Sequence, residues 1–172
     1  MNPAIPTVAK PANVDETVWQ NMLTATPEQA RRIIRSGAYD APTSGLCPGY
    51  AQANLIVLPK EQAYDFLLFA QRNPKPCPLL EVTEVGARGT SICATDCDVA
   101  TDFPRYRIYE NGNLVEETTD VSAYWRDDLV SFIIGCSFSF ESELIEAGIE
   151  QRHNTMGRNV PMYLTNVACT PA

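Results

Sequence analysis

An α/β fold is predicted for this 172-residue chain by three local patterns. The first is Thr26-Pro27-Glu28-Gln29, which opens an amphipathic helix. The second is the continuous aliphatic run Leu55-Ile56-Val57-Leu58, closed by Pro59 and followed at once by helical spacing. The third is Glu110-Asn111-Gly112-Asn113 between two β-rich runs, the strongest short-range hairpin signal. Helix, buried strand, helix and hairpin together require a sheet with helices against it.

The elements follow in order. Residues 1–25 read as a flexible lead-in: Met1 to Pro11 contains no charged segment followed by an apolar run, so it is not read as a secretory signal. Thr26 supplies an N-cap, Pro27 the first helical position and Gln29 the return arm of a capping box. The helix runs to about Ser36 with Ala30, Ile33 and Ile34 on its apolar stripe, and Gly37 stops it. After the strand at 55–58, Ala63, Phe66, Leu67 and Ala70 space a mostly buried helix over 61–71. Tyr106 to Tyr109 and Leu114 to Thr118 form the hairpin. From Val121 the positions Tyr124, Trp125, Leu129, Phe132 and Ile133 share one helical face, which predicts a helix as far as Gly135. Ser139 then caps a second helix through Glu141, Leu144 and Ile145 to Gly148, and a last strand is expected at 162–165.

Composition limits the function. The chain carries 13 basic and 21 acidic residues, a formal charge of −8 and a pI near 4.6. Nucleic acids and anionic membranes are held by clustered cations, so neither is expected as a partner. The apolar stretch 129–140 is broken by Ser131, Gly135, Ser137 and Ser139 and is too short to cross a bilayer of about 30 Å. Six cysteines stand at 47, 77, 93, 97, 136 and 169. Without a secretory signal they are expected as thiols in a cytoplasmic protein. Cys93 and Cys97, flanked by Asp96 and Asp98, lack the second paired motif of a zinc site and read as a solvated loop, so no metal is assigned.

Four segments can carry chemistry. The loop 43–50, with Thr43, Gly45, Gly49 and Tyr50, is either a tight connection or a backbone cradle for an anion. It is not a P-loop, since Gly-Lys-Ser/Thr is absent. Arg72, Asn73 and Lys75 lie on an arm stiffened by Pro74, Pro76 and Pro78, which suits recognition of a carboxylate and equally suits a helix stop. Gly135 to Glu141 joins two expected helices with Cys136, Ser137, Ser139 and Glu141; a helix starting at Ser139 offers free N–H groups to an anion, or is simply capped there. A nucleophile elbow is rejected because the second glycine of Gly-x-Ser-x-Gly is missing. The single histidine, His153, precedes Arg158-Asn159-Val160-Pro161 and reads as structural or as an acid–base group.

Several of these words, in this order, resemble the DUF1445 (UPF0317) family of hydro-lyases, which is similar to the N-terminal part of mitochondrial D-glutamate cyclase. The resemblance rests on Thr43-x-Gly45 with Pro48-Gly49-Tyr50-x-Gln52-Ala53-Asn54, on residues 71–80, on Arg105-Tyr106-Arg107 and on Trp125-Arg126-Asp127-Asp128. It continues through residues 135–141 and 158–163 to Thr165-Asn166. It implies a three-layer α/β body over 26–172 with a smaller inserted α+β portion at about 80–155. Family members continue beyond the position of Ala172, so the chain is expected to be an incomplete version of their domain. Cys47 stands where the family commonly has alanine.

The implied activity is loss of water from a small amino or hydroxy acid without a cofactor, D-glutamate cyclising to 5-oxo-D-proline being the model case. A small-molecule carboxylate is the expected partner, with homo-oligomerisation left open. The chemistry of the residues offers a candidate for each role. Arg72, Lys75 and Arg158 are expected to clamp carboxylates, with Thr43, Gly49, Tyr50, Asn54, Asn73 and Asn159 completing the binding set. Ser137 and Ser139 are expected to hold an oxyanion, and Glu141 or His153 to take the proton. The alternatives are a binding module that has kept the pocket without the chemistry, and an inactive fragment.

Overall fold

Residues 9–172 are described by a computed structural model. Within the span read as a flexible lead-in, α1 (Glu16–Thr24) is a packed helix. The Asp15 carboxylate caps it, accepting from Thr17 N–H at 2.8 Å, and Trp19 and Met22 are buried. Those two side chains correct the expectation: an apolar stripe of this kind is ordered by burial, not by propensity. The next helix, α2 (Pro27–Arg35), carries the capping box in full: Gln29 N–H reaches the Thr26 hydroxyl, and the Gln29 carboxamide accepts the Thr26 N–H at 2.9 Å. With Val14, Tyr39, Ala41 and Leu46, α1 and α2 enclose one apolar cluster.

The main sheet comprises β1 (Ala53–Pro59), β2 (Leu79–Val82) and β5 (Leu129–Gly135) in the order β1-β5-β2, antiparallel throughout. α3 (Lys60–Arg72) covers one face, where Ile56, Leu58, Val130, Phe132 and Ile134 meet Ala63 and Phe66. The Phe66 and Phe132 rings meet edge to face at 4.8 Å. The hairpin of β3 (Tyr106–Glu110) and β4 (Asn113–Thr118) is where the Asn-Gly signal puts it. Its cluster of Ala100, Tyr106 and Val121 packs with Leu55. Helices and antiparallel sheets are thus mixed in one α/β chain.

Three expectations change here. The stretch 121–135 is not a helix: a single 3₁₀ turn (Ser122–Tyr124) precedes β5, whose residues 130–134 are all buried. A strand covered on both faces reads as a continuous apolar run, and such a run has no period to distinguish it from a buried helix. The proposed insertion at 80–155 is not separable with those bounds, because β5 lies within it and holds the other two strands together. No strand forms at 162–165 among the described residues; Met162, Tyr163 and Leu164 are exposed, with no ladder partner. The chain continues from β5 into α4 (Phe138–Glu146) and α5 (Arg152–Thr155). No helix of the described residues is long and apolar enough to cross a membrane.

Candidate functional site

The β5–α4 junction gathers the acid–base residues. α4 starts at Phe138, earlier than the expected cap at Ser139, so Ser137 occupies the N-cap position without a side-chain cap bond. The Ser137 hydroxyl instead donates to Glu141 Oε1 at 2.7 Å, one helical turn on. The other carboxylate oxygen, Oε2, lies 3.1 Å from His153 Nε2. His153 is 3 % exposed. Ser137, Glu141 and His153 therefore form one connected array, with the carboxylate in the middle. A buried imidazole against a carboxylate is held in one orientation and can exchange a proton with it.

Ser139 does other work. Its hydroxyl accepts the Gln52 N–H at 2.9 Å and donates to the Gln52 carbonyl at 3.3 Å, while Cys136 N–H also donates to that carbonyl at 3.3 Å. This corrects its expected role as helix cap. The α4 N–H groups expected to cradle an oxyanion are partly engaged: Ser139 and Phe140 N–H donate to the Cys136 and Ser137 carbonyls at 3.4 and 3.1 Å. Burial pushes the Cys136 thiol up, against the pull of the Phe138 and Ser139 N–H groups. It is therefore held as a thiol rather than a nucleophilic thiolate.

Gln52 joins this junction to the loop 43–50. Its carboxamide donates to Leu46 O at 3.0 Å and accepts the Thr43 hydroxyl at 2.9 Å. Ser44 donates to the Asn159 side chain at 2.7 Å, bringing the segment after α5 to the same place. The sequence reading missed Gln52 as a site residue; its signal lay in the word Pro48 to Asn54. Gly49 has φ +82°, so the turn there needs glycine.

Beside the junction lies a cleft of about 1510 Å³ between β1 and the hairpin. Thr43, Asn54, Phe138, Asn159 and Val160 line one end, and Trp125, Arg105, Arg107 and Arg126 the other parts of its wall. Thr43, Asn54 and Asn159 are thus brought to one cleft. Ser137, Glu141 and His153 stand behind Phe138 and do not themselves line the cleft. Tyr50 lines a separate cavity of about 190 Å³ with Arg31, Cys47, Cys93 and Cys97. Burial raises both Cys93 and Cys97, each to about 11.

The expected cationic clamp is not assembled. Arg72, Lys75 and Arg158 are exposed and lie outside the cleft. Arg72 donates to the Pro171 carbonyl, and Asn73 holds Thr170. The proline-stiffened arm binds a peptide carbonyl where a substrate carboxylate was expected. The cations that do face the cleft are already paired: Arg105 with Asp40 at 2.6 Å, Arg107 with Glu117 at 2.5 Å and Arg126 with Asp128 at 2.8 Å. Among the described residues, no group of three or more His, Cys, Asp or Glu side chains is placed to hold a metal ion.

Comparison with known proteins gives the family. The family model described as D-glutamate cyclase matches residues 130–172, which run from β5 through the array and both last helices. A protein of Clostridium beijerinckii named "Putative hydro-lyase" is 60 % identical over 146 residues, covering 85 % of this chain and 56 % of its own length. The chain belongs to this hydro-lyase family. A member from Stutzerimonas stutzeri is 56 % identical over 147 residues, 86 % of this chain and 56 % of its own. Another from Bacillus subtilis, bearing the same name with the suffix YcsI, is 57 % identical over 146 residues, 85 % and 57 %. The chain spans a little over half the length of the curated relatives it matches.

Proposed function

We propose that this chain supplies the acid–base part of a hydro-lyase site for a small amino or hydroxy acid. The observation that carries the reading is the Ser137–Glu141–His153 array, set at a strand–helix junction beside an open cleft and inside the stretch matched by the D-glutamate cyclase model. For D-glutamate, the ammonium loses a proton to Glu141, and the freed amine attacks the side-chain carboxyl and gives up a second proton. One carboxyl oxygen takes up both protons, one of them returned by Glu141, and leaves as water to give 5-oxo-D-proline. His153 holds the Glu141 carboxylate in place, and the Ser137 hydroxyl, bonded to Glu141, is the donor assigned to the developing oxyanion. Thr43, Asn54 and Asn159 are uncharged polar groups at the cleft that can meet the carboxylates. The activity, like the cytoplasmic location, is a reading for the whole protein.

The test is water loss from a panel of D- and L-amino acids and hydroxy acids, followed by NMR, with the chain and its Glu141→Gln variant. General acid–base catalysis is worth about 10²–10⁴-fold, so E141Q is expected to lose that much. An unchanged rate in E141Q would remove Glu141 from the chemistry. That Ser137, Glu141 and His153 do not line the cleft favours one second reading, a carboxylate-binding module. Thermal-shift stabilisation by the panel without product would establish that instead.

A further inference from the structure

The tail after α5 returns to the end of α3, where one buried side chain grips it. Asn73 is 7 % exposed, and its Nδ2 donates both to Phe69 O at 2.8 Å and to Thr170 O at 2.7 Å. Its Oδ1 accepts the Thr170 N–H at 2.8 Å, so the carboxamide pairs with both the N–H and the C=O of one residue, as a strand neighbour would. The Arg72 guanidinium adds a bond to the next carbonyl, that of Pro171, at 2.5 Å. The Asn73 carbonyl in turn accepts the Cys77 N–H at 3.0 Å. One residue therefore fixes the backbone of Cys77 and, through Thr170, that of Cys169.

Both thiols are free, Cys77 half-buried and Cys169 exposed. Burial pushes the Cys77 thiol up, and the charge of Cys169 acts in the same direction. The remaining thiols are engaged elsewhere: Cys47 donates to Ala25 O, Cys136 to Gln52 O, and Cys93 and Cys97 line the small cavity.

We infer that Cys77 and Cys169 are a redox-modification site, a dithiol that closes to a disulfide when it meets a small disulfide such as oxidised glutathione. The exposed Cys169 thiolate attacks one sulfur of the glutathione disulfide, forming a mixed disulfide and expelling one glutathione thiolate. Cys77 then loses its proton to water and attacks the Cys169 sulfur, expelling the second. The protein dithiol loses two electrons, glutathione disulfide gains them, and the two thiol protons end on two reduced glutathiones. Closure ties the segment bearing Asn159 and Val160, which line the cleft, to the end of α3.

The test treats the intact chain with oxidised glutathione, quenches in acid, alkylates and maps disulfides by mass spectrometry. The expected product is a peptide pair joined through Cys77 and Cys169, lighter by two hydrogens and free of glutathione. In Cys77→Ser, folded by circular dichroism, the glutathione adduct should persist on Cys169. In urea the partners of Cys169 should scatter among the other cysteines, because the Asn73 grip is gone. A lasting adduct on Cys169 beside unreacted Cys77 in the wild type would overturn the inference. So would native pairing of Cys169 with Cys93 as readily as with Cys77.

Discussion

At the scale of the residue, the turn at 91–93 is held by a carboxylate from another element. Glu81, on β2 and 6 % exposed, accepts the N–H groups of Ser91, Ile92 and Cys93. Burial alone would raise its pKa, but the Ser91, Cys93 and Ile92 bonds outweigh it and hold the group below the usual glutamate range. A carboxylate depressed in this way stabilises the fold above its unfolded pKa. That contribution is lost as pH falls through the lowered folded value. Glu81→Gln keeps the shape with weaker acceptance, so urea denaturation at neutral pH should show a loss of about 1–3 kcal/mol. The gap between variant and wild type should close on acidification. Nothing local announces this residue, since its partners lie ten to twelve positions away. Thr26 with Gln29 was legible because both halves of the capping box sit in one short word, whereas Ser137 with Glu141 was not, because the helix is expected to start only at Ser139. The partnership of Glu141 with His153 crosses a helix end and could not be read from spacing.

At the scale of the element, α2, β1, α3 and the hairpin were legible because each carries its own start or stop signal. α1 carries a signal of its own, Asp15 before an apolar stripe of Val18, Trp19 and Met22, although residues 1–25 read as a lead-in. β5 was hidden by its own burial. Its entry depends on Gly86, which sits at φ +80° and donates its N–H to Leu129 O at 2.7 Å. A Cβ there would stand 2.9 Å from the Asp127 carbonyl oxygen, and the Trp125 indole N–H donates to the Gly86 carbonyl at 3.1 Å. Gly86→Ala therefore meets both a backbone clash and an unfavourable φ. The loss should exceed about 1 kcal/mol in thermal or denaturant unfolding. Gly37→Ala is the control: its φ is also positive, but nothing lies within 4 Å of the added carbon.

At the scale of the whole molecule, the N-terminal helices are joined to the middle of the chain by charge. The Asp102 carboxylate is fully buried and accepts two bonds from the Arg35 guanidinium, at 2.6 and 2.7 Å. The same carboxylate accepts the Asp98 N–H at 2.9 Å, and Arg31 approaches it at 3.8 Å. Hydrogen bonding to Asp102 raises Arg35 further above its already high range. Asp102→Ala would leave two arginines facing a dry pocket. Because Arg35 is partly exposed, the cost should sit below the full buried-pair value, at about 1–3 kcal/mol, with separate melting of the α1–α2 region detectable by hydrogen exchange. Long-range bonds of this kind explain where the sequence reading of the site stopped. Arg72 and Lys75 had the chemistry of a clamp, while their position relative to the cleft depended on how distant segments close around the sheet.

The order of strands in that sheet also bears on how the chain is made. β1 and β2 emerge from the ribosome early, yet the strand that separates and pairs with both is Leu129–Gly135. At roughly 5–20 residues per second, Ile56 and Leu58 wait some seconds of synthesis before their ladder exists. During that interval a nascent chain presents two unmatched apolar ribbons, and the helix Lys60–Arg72, born between them, is the first cover available to either.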